Sequence, residues 1–561
     1  MRHAMPTRPL GMMTAVALAG GLLAATANGA PGAQDCAALT SLTLDGAKIT
    51  AATPIPAASY TQPDEGSGPH TFTGLPAFCA VRGVATPTPQ SRIGFTVWLP
   101  QAAGWSHRLH MVGNGAYGSN LYYAQLVARL QRGDVAVATD TGHTGDSLSF
   151  GFDNREAIAD WGGRAVHESA RAAKTIATAF YGNPPAHSYF SGCSTGGAQA
   201  LHAAQRYPDD FDGIIAGDPG NNRTHLNLQL LWNFEQNHAP HDNAHPLLGA
   251  PELRLLHAAV LKACARLDGV EDGVIADPRQ CHFDASSLLC QPSQSGGCLN
   301  PAQVNAVKAM YAGPRDRRSG AQLYPGYAFG SETVGLQPGS ALIGWSLYWA
   351  NPQKPDEPQR ADFFRRWVFN DPAWDWWTFD WGNDVDRVTQ ALAPLVDATD
   401  PDLSRFRRHG GKLILFMGWA DPVASPYEII NYYNSVIARG AGDTEAARLT
   451  DTQTFARLYM VPGMGHCALG DGATYFSNAT RDSSPPVEDA QHDMALALTD
   501  WVEQDKAPDT LIATHFREGS GPSGKVGFQR KLCAFPKTAR YVGGDKDSAA
   551  SFECVDPGPT P

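Results

Sequence analysis

The sequence predicts an α/β fold with a mostly parallel sheet, interrupted by one large insertion. Short apolar runs that suit buried strands alternate with longer segments whose apolar residues recur at helical spacing. This alternation occupies residues 93–216, disappears between about 221 and 400, and returns at 412–416. The chain has 561 residues with 57 glycines and 41 prolines, which excludes a coiled coil or an all-helical bundle.

The predicted elements follow in chain order. Before the insertion we predict strands at 93–99, 109–112, 135–138, 188–190 and 214–216, and helices at 164–181 and 199–206. After it we predict strands at 412–416 and 458–461, and a helix from near Glu488 to Trp501. We therefore place the first part of the core at 28–220, the insertion at 221–400 and the second part of the core at 401–561.

The N-terminus has the pattern of a secretory signal peptide. Arg2 and Arg8 give a positive start, residues 12–27 are apolar and uncharged, and small residues precede Asn28. We expect residues 1–27 to be removed, which leaves a secreted or periplasmic protein. The alternative is a membrane anchor, but the run is short and rich in glycine and alanine.

The charge balance limits the class of partner. The net charge is −12, and it becomes −14 without the leader, which argues against nucleic acid or anionic membrane as the main partner. No later run approaches the roughly 18 apolar residues of a membrane span. We therefore expect no membrane association after signal removal, and the sequence does not predict the oligomeric state.

Ten cysteines in an oxidising compartment predict disulfides. They are Cys36, Cys79, Cys193, Cys264, Cys281, Cys290, Cys298, Cys467, Cys533 and Cys554. No C-x-x-C occurs, which argues against a thiolate zinc site. Short spacings favour Cys264–Cys281, Cys290–Cys298 and Cys533–Cys554, although the spacing alone does not fix the connectivity.

The motif GCSTG at residues 192–196 matches G-x-S-x-G. A predicted strand precedes it and a predicted helix follows it, which is the strand–turn–helix context of a nucleophilic serine. The small glycines permit a strained turn that exposes the Ser194 hydroxyl. The alternative interpretation is an ordinary glycine-rich turn.

An activated serine needs a base, and the base needs an acid that orients it. Asp421 follows the predicted strand 412–416, and His466 lies in a glycine-rich loop after the strand 458–461. Each alone has a plain interpretation, as a turn-forming Asp-Pro or as a surface histidine. Together they follow Ser194 in the order Ser, Asp, His and predict a catalytic triad.

The cysteines beside the triad allow an independent check. Cys193 directly precedes Ser194, and Cys467 directly follows His466. If the serine and histidine are within hydrogen-bond reach, their neighbours can lie close enough for a disulfide. The competing interpretation, Cys193 as the nucleophile, is disfavoured in an oxidising compartment.

These motifs resemble the tannase/feruloyl esterase family. The similarity covers nearly the whole mature chain and includes GCSTGG at 192–197, TDTGHTG at 139–145, GWADP at 418–422 and GMGHC at 463–467, with DPAWD at 371–375 in the insertion. The resemblance implies an α/β-hydrolase core and a large inserted lid that closes over an aromatic acyl group. It also implies the disulfide at the triad.

Two backbone N–H groups are expected to form an oxyanion hole. The first is that of Thr195, the residue after the nucleophile, and the loop 113–116 is the candidate for the second. The family resemblance favours Gly115 within that loop, whereas the alternative is a plain glycine turn. We expect His143 to be a structural loop histidine.

An acidic loop between Cys264 and Cys281 suggests a structural cation. Its alternating aspartates and carbonyls suit Ca²⁺, although it fails the EF-hand pattern. It resembles the calcium loop of the family lid, which implies side-chain ligands from Asp268 and Asp272 and carbonyl ligands from Val270 and Val274. The family commonly places an acid where Ala265 stands here, so weaker binding is expected, and an acidic turn is the alternative.

The sequence therefore predicts a secreted serine esterase with no organic cofactor. The resemblance implies a small aromatic ester substrate, such as a hydroxycinnamate or hydroxybenzoate ester, with feruloyl esterase-like activity. The alternatives are mono(2-hydroxyethyl) terephthalate hydrolysis, tannase activity, or an inactive calcium-stabilised binding protein. Arg365 and Arg366 are candidates for a substrate carboxylate, but solvated helix charges are the favoured interpretation.

Overall fold

The computed structural model describes residues 35–64, 68–294, 296–335, 342–477, 485–517 and 524–556. The expected signal peptide at 1–27 lies outside these residues. The strands are β1 Ala47–Ile55, β2 Ala58–Thr61, β3 Thr71–Leu75, β4 Phe78–Ala85, β5 Ile93–Pro100, β6 Arg108–Val112, β7 Val135–Thr139, β8 His187–Cys193, β9 Gly213–Gly217, β10 Ala350–Asn351, β11 Lys354–Pro358, β12 Lys412–Gly418, β13 Ala456–Val461, β14 Thr510–Phe516, β15 Val526–Cys533, β16 Thr538–Tyr541 and β17 Phe552–Val555.

The helices complete the element order. They are α1 Tyr123–Gln131, α2 Arg155–Ala159, α3 Ala165–Tyr181, α4 Thr195–Arg206, α5 Arg223–Gln236, α6 Ala250–Cys264, α7 Pro301–Ala312, α8 Asn383–Val396, α9 Ser404–His409, α10 Pro426–Ala438, α11 Glu445–Gln453 and α12 Met494–Gln504. The predicted start of the last helix near Glu488 was wrong. Asp493 caps α12 by accepting the N–H groups of Ala495 and Leu496, which fixes the start of the helix at Met494, six residues later.

Within the described residues, nine strands form one mixed sheet in the order β1-β4-β5-β7-β6-β8-β9-β12-β13. The strands from β7 to β13 pair in parallel, while β1, β4 and β5 add an antiparallel end. The parallel part confirms the predicted α/β class. The antiparallel end was not predicted, because β1 and β4 carry no clear alternation of apolar residues.

The parallel strands bring the candidate site to one edge of the sheet. Ser194 follows β8, Asp421 follows β12, and His466 follows β13. The loop 113–116 follows β6, which pairs with β8. Because the carboxyl ends of parallel strands meet at one edge, residues separated by up to 353 positions along the sequence converge there.

The segment between β9 and β12 adds no strand to the main sheet, although these two strands are neighbours in it. It contains α5 to α9 and the short pair β10 and β11. Buried residues of this segment, from Leu228 to Val396, form most of a separate hydrophobic cluster, which also takes in Tyr117 and Trp161 of the first part. Its role as a lid stays a prediction.

Tryptophans of the inserted segment pack in this cluster. Trp345, Trp367, Trp376 and Trp381 are buried in it. In the described part of the chain, no tryptophan lines the cavity at Ser194. These tryptophans therefore contribute to the core of the inserted segment rather than to the wall of the cavity.

Five disulfides pair all ten cysteines within the described residues. The pairings favoured by spacing, Cys264–Cys281, Cys290–Cys298 and Cys533–Cys554, are present. Cys36–Cys79 joins the N-terminal segment to β4, a pairing that the sequence had left open.

Candidate active site

Ser194 occupies a strained turn between β8 and α4. Its φ of 63° and ψ of −117° are rare for a residue with a side chain. A Cβ atom on Gly192 would lie 2.5 Å from the backbone of Gly196, so the turn requires glycine at that position. The predicted GCSTG motif therefore forms a strand–turn–helix elbow that presents the serine at the sheet edge.

Ser194, His466 and Asp421 form a continuous hydrogen-bonded chain. His466 Nε2 lies 2.8 Å from Ser194 Oγ, and His466 Nδ1 lies 2.7 Å from Asp421 Oδ2. An ionised carboxylate can only accept, so Nδ1 carries the proton and Nε2 is left to accept from the serine hydroxyl. This arrangement can remove a proton from Ser194 as its oxygen attacks an electrophile.

Backbone groups hold the acid in place. Asp421 is fully buried, and its second oxygen accepts the N–H groups of Val423 at 2.7 Å and Ala424 at 3.1 Å. These bonds satisfy the oxygen that does not face His466. They fix the carboxylate plane, which in turn fixes the orientation of the imidazole.

A disulfide joins the two loops that carry the serine and the histidine. Cys193 and Cys467 are bonded, with their Cα atoms 5.9 Å apart across 274 residues of sequence. Cys467 has a φ of 66°, so the histidine loop turns sharply at the bridge. The expected pairing is present, and Cys193 is oxidised rather than available as a nucleophile.

A second buried carboxyl, that of Asp218, lies beside the triad. Asp218 follows β9, accepts the N–H of Gly418 at 2.8 Å, and has a carboxylate oxygen within 4.8 Å of ligand atoms of Asp421 and His466. Burial and the neighbouring Asp421 charge raise the pKa of Asp218 well above its ordinary value. A neutral Asp218 can donate a hydrogen bond to Asp421. Sequence reasoning missed this residue.

A cavity of about 640 Å³ opens over Ser194. The loop 113–116, Ser194 and His466 form its polar wall, and Leu226 and Leu230 of α5 are among its apolar residues. This size matches sites that bind small organic ligands. The cavity therefore offers the hydrogen-bonded serine to a molecule the size of a substituted aromatic ester.

The loop 113–116 is hydrogen-bonded to the strand–turn–helix elbow at Ser194. The Thr195 hydroxyl donates to the Ala116 carbonyl at 2.6 Å, and a Cβ atom on Gly115 would lie 2.3 Å from the Tyr122 hydroxyl. Gly115 lines the cavity, and Thr195 begins α4 directly after the serine. The two residues expected to supply the oxyanion hole are thus on adjoining segments, and their role stays a prediction.

Three other predicted residues lie away from the cavity. Arg365 pairs with Glu357 at 3.2 Å, Arg366 pairs with Asp362 at 2.8 Å, and neither lines the cavity. His143 Nε2 donates to the Tyr117 carbonyl at 2.7 Å. The interpretation of His143 as a structural histidine matches this placement. Arg365 and Arg366 are paired charges rather than fully solvated ones, since the Arg365 side chain is only 14% exposed.

The guanidinium of Arg530 lies beside the acidic loop that follows α6. Asp268 and Asp272 each accept the N–H two residues ahead, from Val270 at 3.1 Å and Val274 at 3.0 Å. Asp272 also accepts from the Arg530 guanidinium at 2.6 Å. The carboxylates suit a hard cation in donor type, but Ca²⁺ would compete with Arg530 for Asp272. Calcium at this loop stays a prediction.

Comparisons with known proteins agree with this geometry. The profile described as tannase and feruloyl esterase matches residues 79–555. The chain belongs to the tannase and feruloyl esterase family. It is therefore a carboxylic ester hydrolase of the α/β-hydrolase type, as the sequence motifs predicted.

Individual relatives extend over most of the chain. An uncharacterized esterase of Xanthomonas campestris is 37% identical over 545 residues, which cover 93% of this chain and 91% of the relative. A probable feruloyl esterase B-1 of Aspergillus oryzae is 31% identical, with 86% and 85% covered.

Solved structures share the fold. Feruloyl esterase B from Aspergillus oryzae matches with a TM-score of 0.82 and 28% identity, over 93% of this chain and 99% of that one. The tannin acyl hydrolase from Aspergillus niger matches with a TM-score of 0.72 at 22% identity, over 92% and 93%, which supports the fold alone. In the described ranges, no helix is both long and apolar enough to cross a membrane.

Proposed function

We propose that this protein is a secreted serine esterase that hydrolyses esters of hydroxylated aromatic acids by an acyl-enzyme mechanism. The observation that carries the proposal is the hydrogen-bonded chain from Ser194 through His466 to Asp421 at the floor of a cavity. The relatives named as feruloyl esterases support the aromatic acyl group.

Each residue has a defined part in the proposed reaction. The Ser194 oxygen attacks the ester carbonyl while His466 Nε2 takes its proton, and Asp421 stabilises the imidazolium that forms. The N–H groups of Thr195 and Gly115 stabilise the tetrahedral oxyanion, an effect typically worth about 3 kcal/mol per donor. His466 then protonates the leaving alcohol, and water releases the acid by the same steps.

Export fits the cysteine chemistry. All ten cysteines are paired in the described part of the chain, and structural disulfides form and persist in oxidising compartments. The predicted leader would direct the chain to such a compartment. N-terminal sequencing of the exported protein tests this part, and a start at Asn28 is the expected result.

The decisive experiment measures hydrolysis of methyl ferulate, methyl gallate and mono(2-hydroxyethyl) terephthalate by the mature protein and by Ser194→Ala. We expect a preference for one of the three esters and a loss of at least about 10⁴-fold in kcat in the variant. Binding of these esters without Ser194-dependent turnover would instead favour the inactive binding protein.

A further inference from the structure

Arg223 is a buried arginine at the wall of the cavity. It begins α5, directly after the sheet strand β9 and its loop, and is 6% exposed. One Nη donates to Thr195 Oγ1 at 3.0 Å, whereas its Nε is buried and has no hydrogen-bond partner within the described residues. The guanidinium therefore retains donors that the surrounding protein does not satisfy.

A second arginine faces the same cavity. The Arg360 guanidinium carbon lies 4.9 Å from the ring centre of Tyr117, and that of Arg223 lies 5.6 Å from the same centre. Arg360 has one carboxylate contact, to the half-exposed Asp146 at 3.5 Å. Both arginines line the cavity that contains Ser194.

The protein compensates the positive charges of this pair only weakly. Burial lowers the pKa of Arg223 and the charge of Arg360 lowers it further, whereas Asp397 raises it from beyond the distance of an ion pair. The described residues provide no carboxylate within the 4.0 Å of an ion pair to Arg223. Burying a cation is costly unless an anion is paired with it, and an anionic ligand would place such a charge directly against the guanidinium.

A purely structural role explains these observations less well. The bond from Arg223 to Thr195 could be made by a neutral amide, which would not bring a charge into the interior. The flat faces of Tyr117 and Trp161 hold the guanidinium by cation–π contact and leave its edge free for hydrogen bonds. A guanidinium edge matches a carboxylate in a two-bond geometry.

We propose that Arg223 and Arg360 form an anion subsite that binds an ionised carboxylate carried by the ester substrate. This inference rests on the proposed esterase function and narrows its substrate class to acidic esters. The carboxylate is on either the acyl part or the alcohol part of the ester, and the two sources are distinguished by experiment.

The test uses matched pairs of esters in which a neutral amide of similar size replaces the carboxylate. In the acyl arm, monomethyl terephthalate is compared with methyl 4-carbamoylbenzoate, in which a neutral amide replaces the carboxylate. In the alcohol arm, caffeoylquinate is compared with its quinamide analogue. We expect kcat/KM for the charged ester to exceed that for the amide by at least about tenfold in one arm, mainly through KM.

Variants assign the preference to the two arginines. Arg223→Met and Arg360→Gln are each expected to lower the charged-to-amide ratio of kcat/KM at least tenfold, and Arg223→Lys to restore part of it. Arg366→Gln is the matched control, because Arg366 lies in the same inserted segment, pairs with Asp362 and does not line the cavity. Its ratio should equal that of the wild type.

Several outcomes would overturn the subsite. A wild-type enzyme that hydrolyses the amide as well as the charged ester in both arms contradicts it, while the proposed esterase function stands. An equal loss on both members of a pair in Arg223→Met would show that Arg223 only supports the elbow through Thr195. Absence of any Ser194-dependent hydrolysis would contradict both proposals.

Discussion

Ser194, Asp421 and His466 each lie within five residues of the end of a strand of the main sheet, whereas Arg223 and Arg360 come from the segment between β9 and β12. Ser194, His466 and the two arginines line one cavity. The three strand-end residues, Ser194, Asp421 and His466, are hydrogen-bonded to one another and have a disulfide beside them. The arginines of the inserted segment include Arg223, whose Nε has no hydrogen-bond partner within the described residues. The difference suggests that the sheet edge provides the reaction and the inserted segment selects the substrate.

The largest expected effect is the loss of kcat when the acid of the triad is replaced. Asp421→Asn should lower kcat about 10⁴-fold, because an amide favours the wrong tautomer of His466. Asp218→Asn is the matched control, since an amide resembles the neutral carboxyl that the raised pKa of Asp218 favours. We expect a loss below about tenfold there. Steady-state kinetics on methyl ferulate measure both, and equal losses would contradict the assignment of Asp421.

The second prediction concerns the bridge between the two catalytic loops. A double variant with Cys193→Ala and Cys467→Ala should lose about 2–4 kcal/mol of stability and most of its activity, because the bridge closes a loop of 274 residues and positions His466. The variant with Cys290→Ala and Cys298→Ala removes a bridge across eight residues. It should lose less stability and keep its activity, as thermal unfolding and kinetics would show.

Similar activity losses in the two double variants would contradict this expectation. They would mean that disulfides act only on global stability. The Cys193–Cys467 bridge would then have no local role in positioning His466 against Ser194.

Ser194, Asp421 and His466 were predictable because each is marked by a short motif directly around it in the sequence. A serine between glycines after one strand, and an acid and a histidine after two later strands, must meet once the strands are parallel. The disulfide between the neighbouring Cys193 and Cys467 is then also expected. Asp218 also follows a strand, but nothing in its sequence surroundings indicates that its carboxyl approaches Asp421.

The cavity arginines could not be predicted in the same way. Arg223 reaches Thr195 because the loop after β9 runs beside the elbow, where the Gly220 N–H donates to the Ser194 carbonyl, and no sequence motif marks this contact. The arginines that the sequence brought to notice, Arg365 and Arg366, satisfy their charges within eight residues of sequence. The partner of an arginine, rather than its presence, distinguishes a structural from a ligand-binding role.

The third prediction concerns the stability of the inserted segment. Burial in α5 raises the pKa of Glu235 to about 7, while its hydrogen bond from Trp381 acts in the opposite direction. The protonated form is favoured in the folded state, so its stabilising contribution is present below about pH 4.5 and is lost as pH rises through 7. The loss is about 2 kcal/mol once solvent screening is included.

Glu235→Gln removes this titration and keeps an acceptor for Trp381. The difference in Tm between the variant and the wild type should therefore grow as pH rises from 5 to 8. The exposed Glu445→Gln in α11 serves as the control, and its Tm difference should stay constant. A constant difference for Glu235→Gln as well would show that this carboxyl does not limit the stability of the inserted segment.

The smallest expected effect concerns the acidic loop at Asp268 and Asp272 and the Arg530 guanidinium beside it. Arg530 donates to Asp272, so Ca²⁺ must compete with it, and Ala265 rather than an acid follows Cys264 at the start of the loop. We expect wild-type protein to gain about 1 °C in Tm in 10 mM Ca²⁺ over chelator, which corresponds to a millimolar Kd. Arg530→Met should be less stable in chelator but gain more from Ca²⁺, because both carboxylates are then available.

Magnesium at the same concentration is the control for ionic strength and for cation type, because it keeps its own water ligands. A micromolar response of the wild type would mean that Arg530 does not oppose the ion. No response in either protein would establish the alternative, an acidic turn. In that case Arg530, rather than a metal, would join the inserted segment to β15 through Asp272.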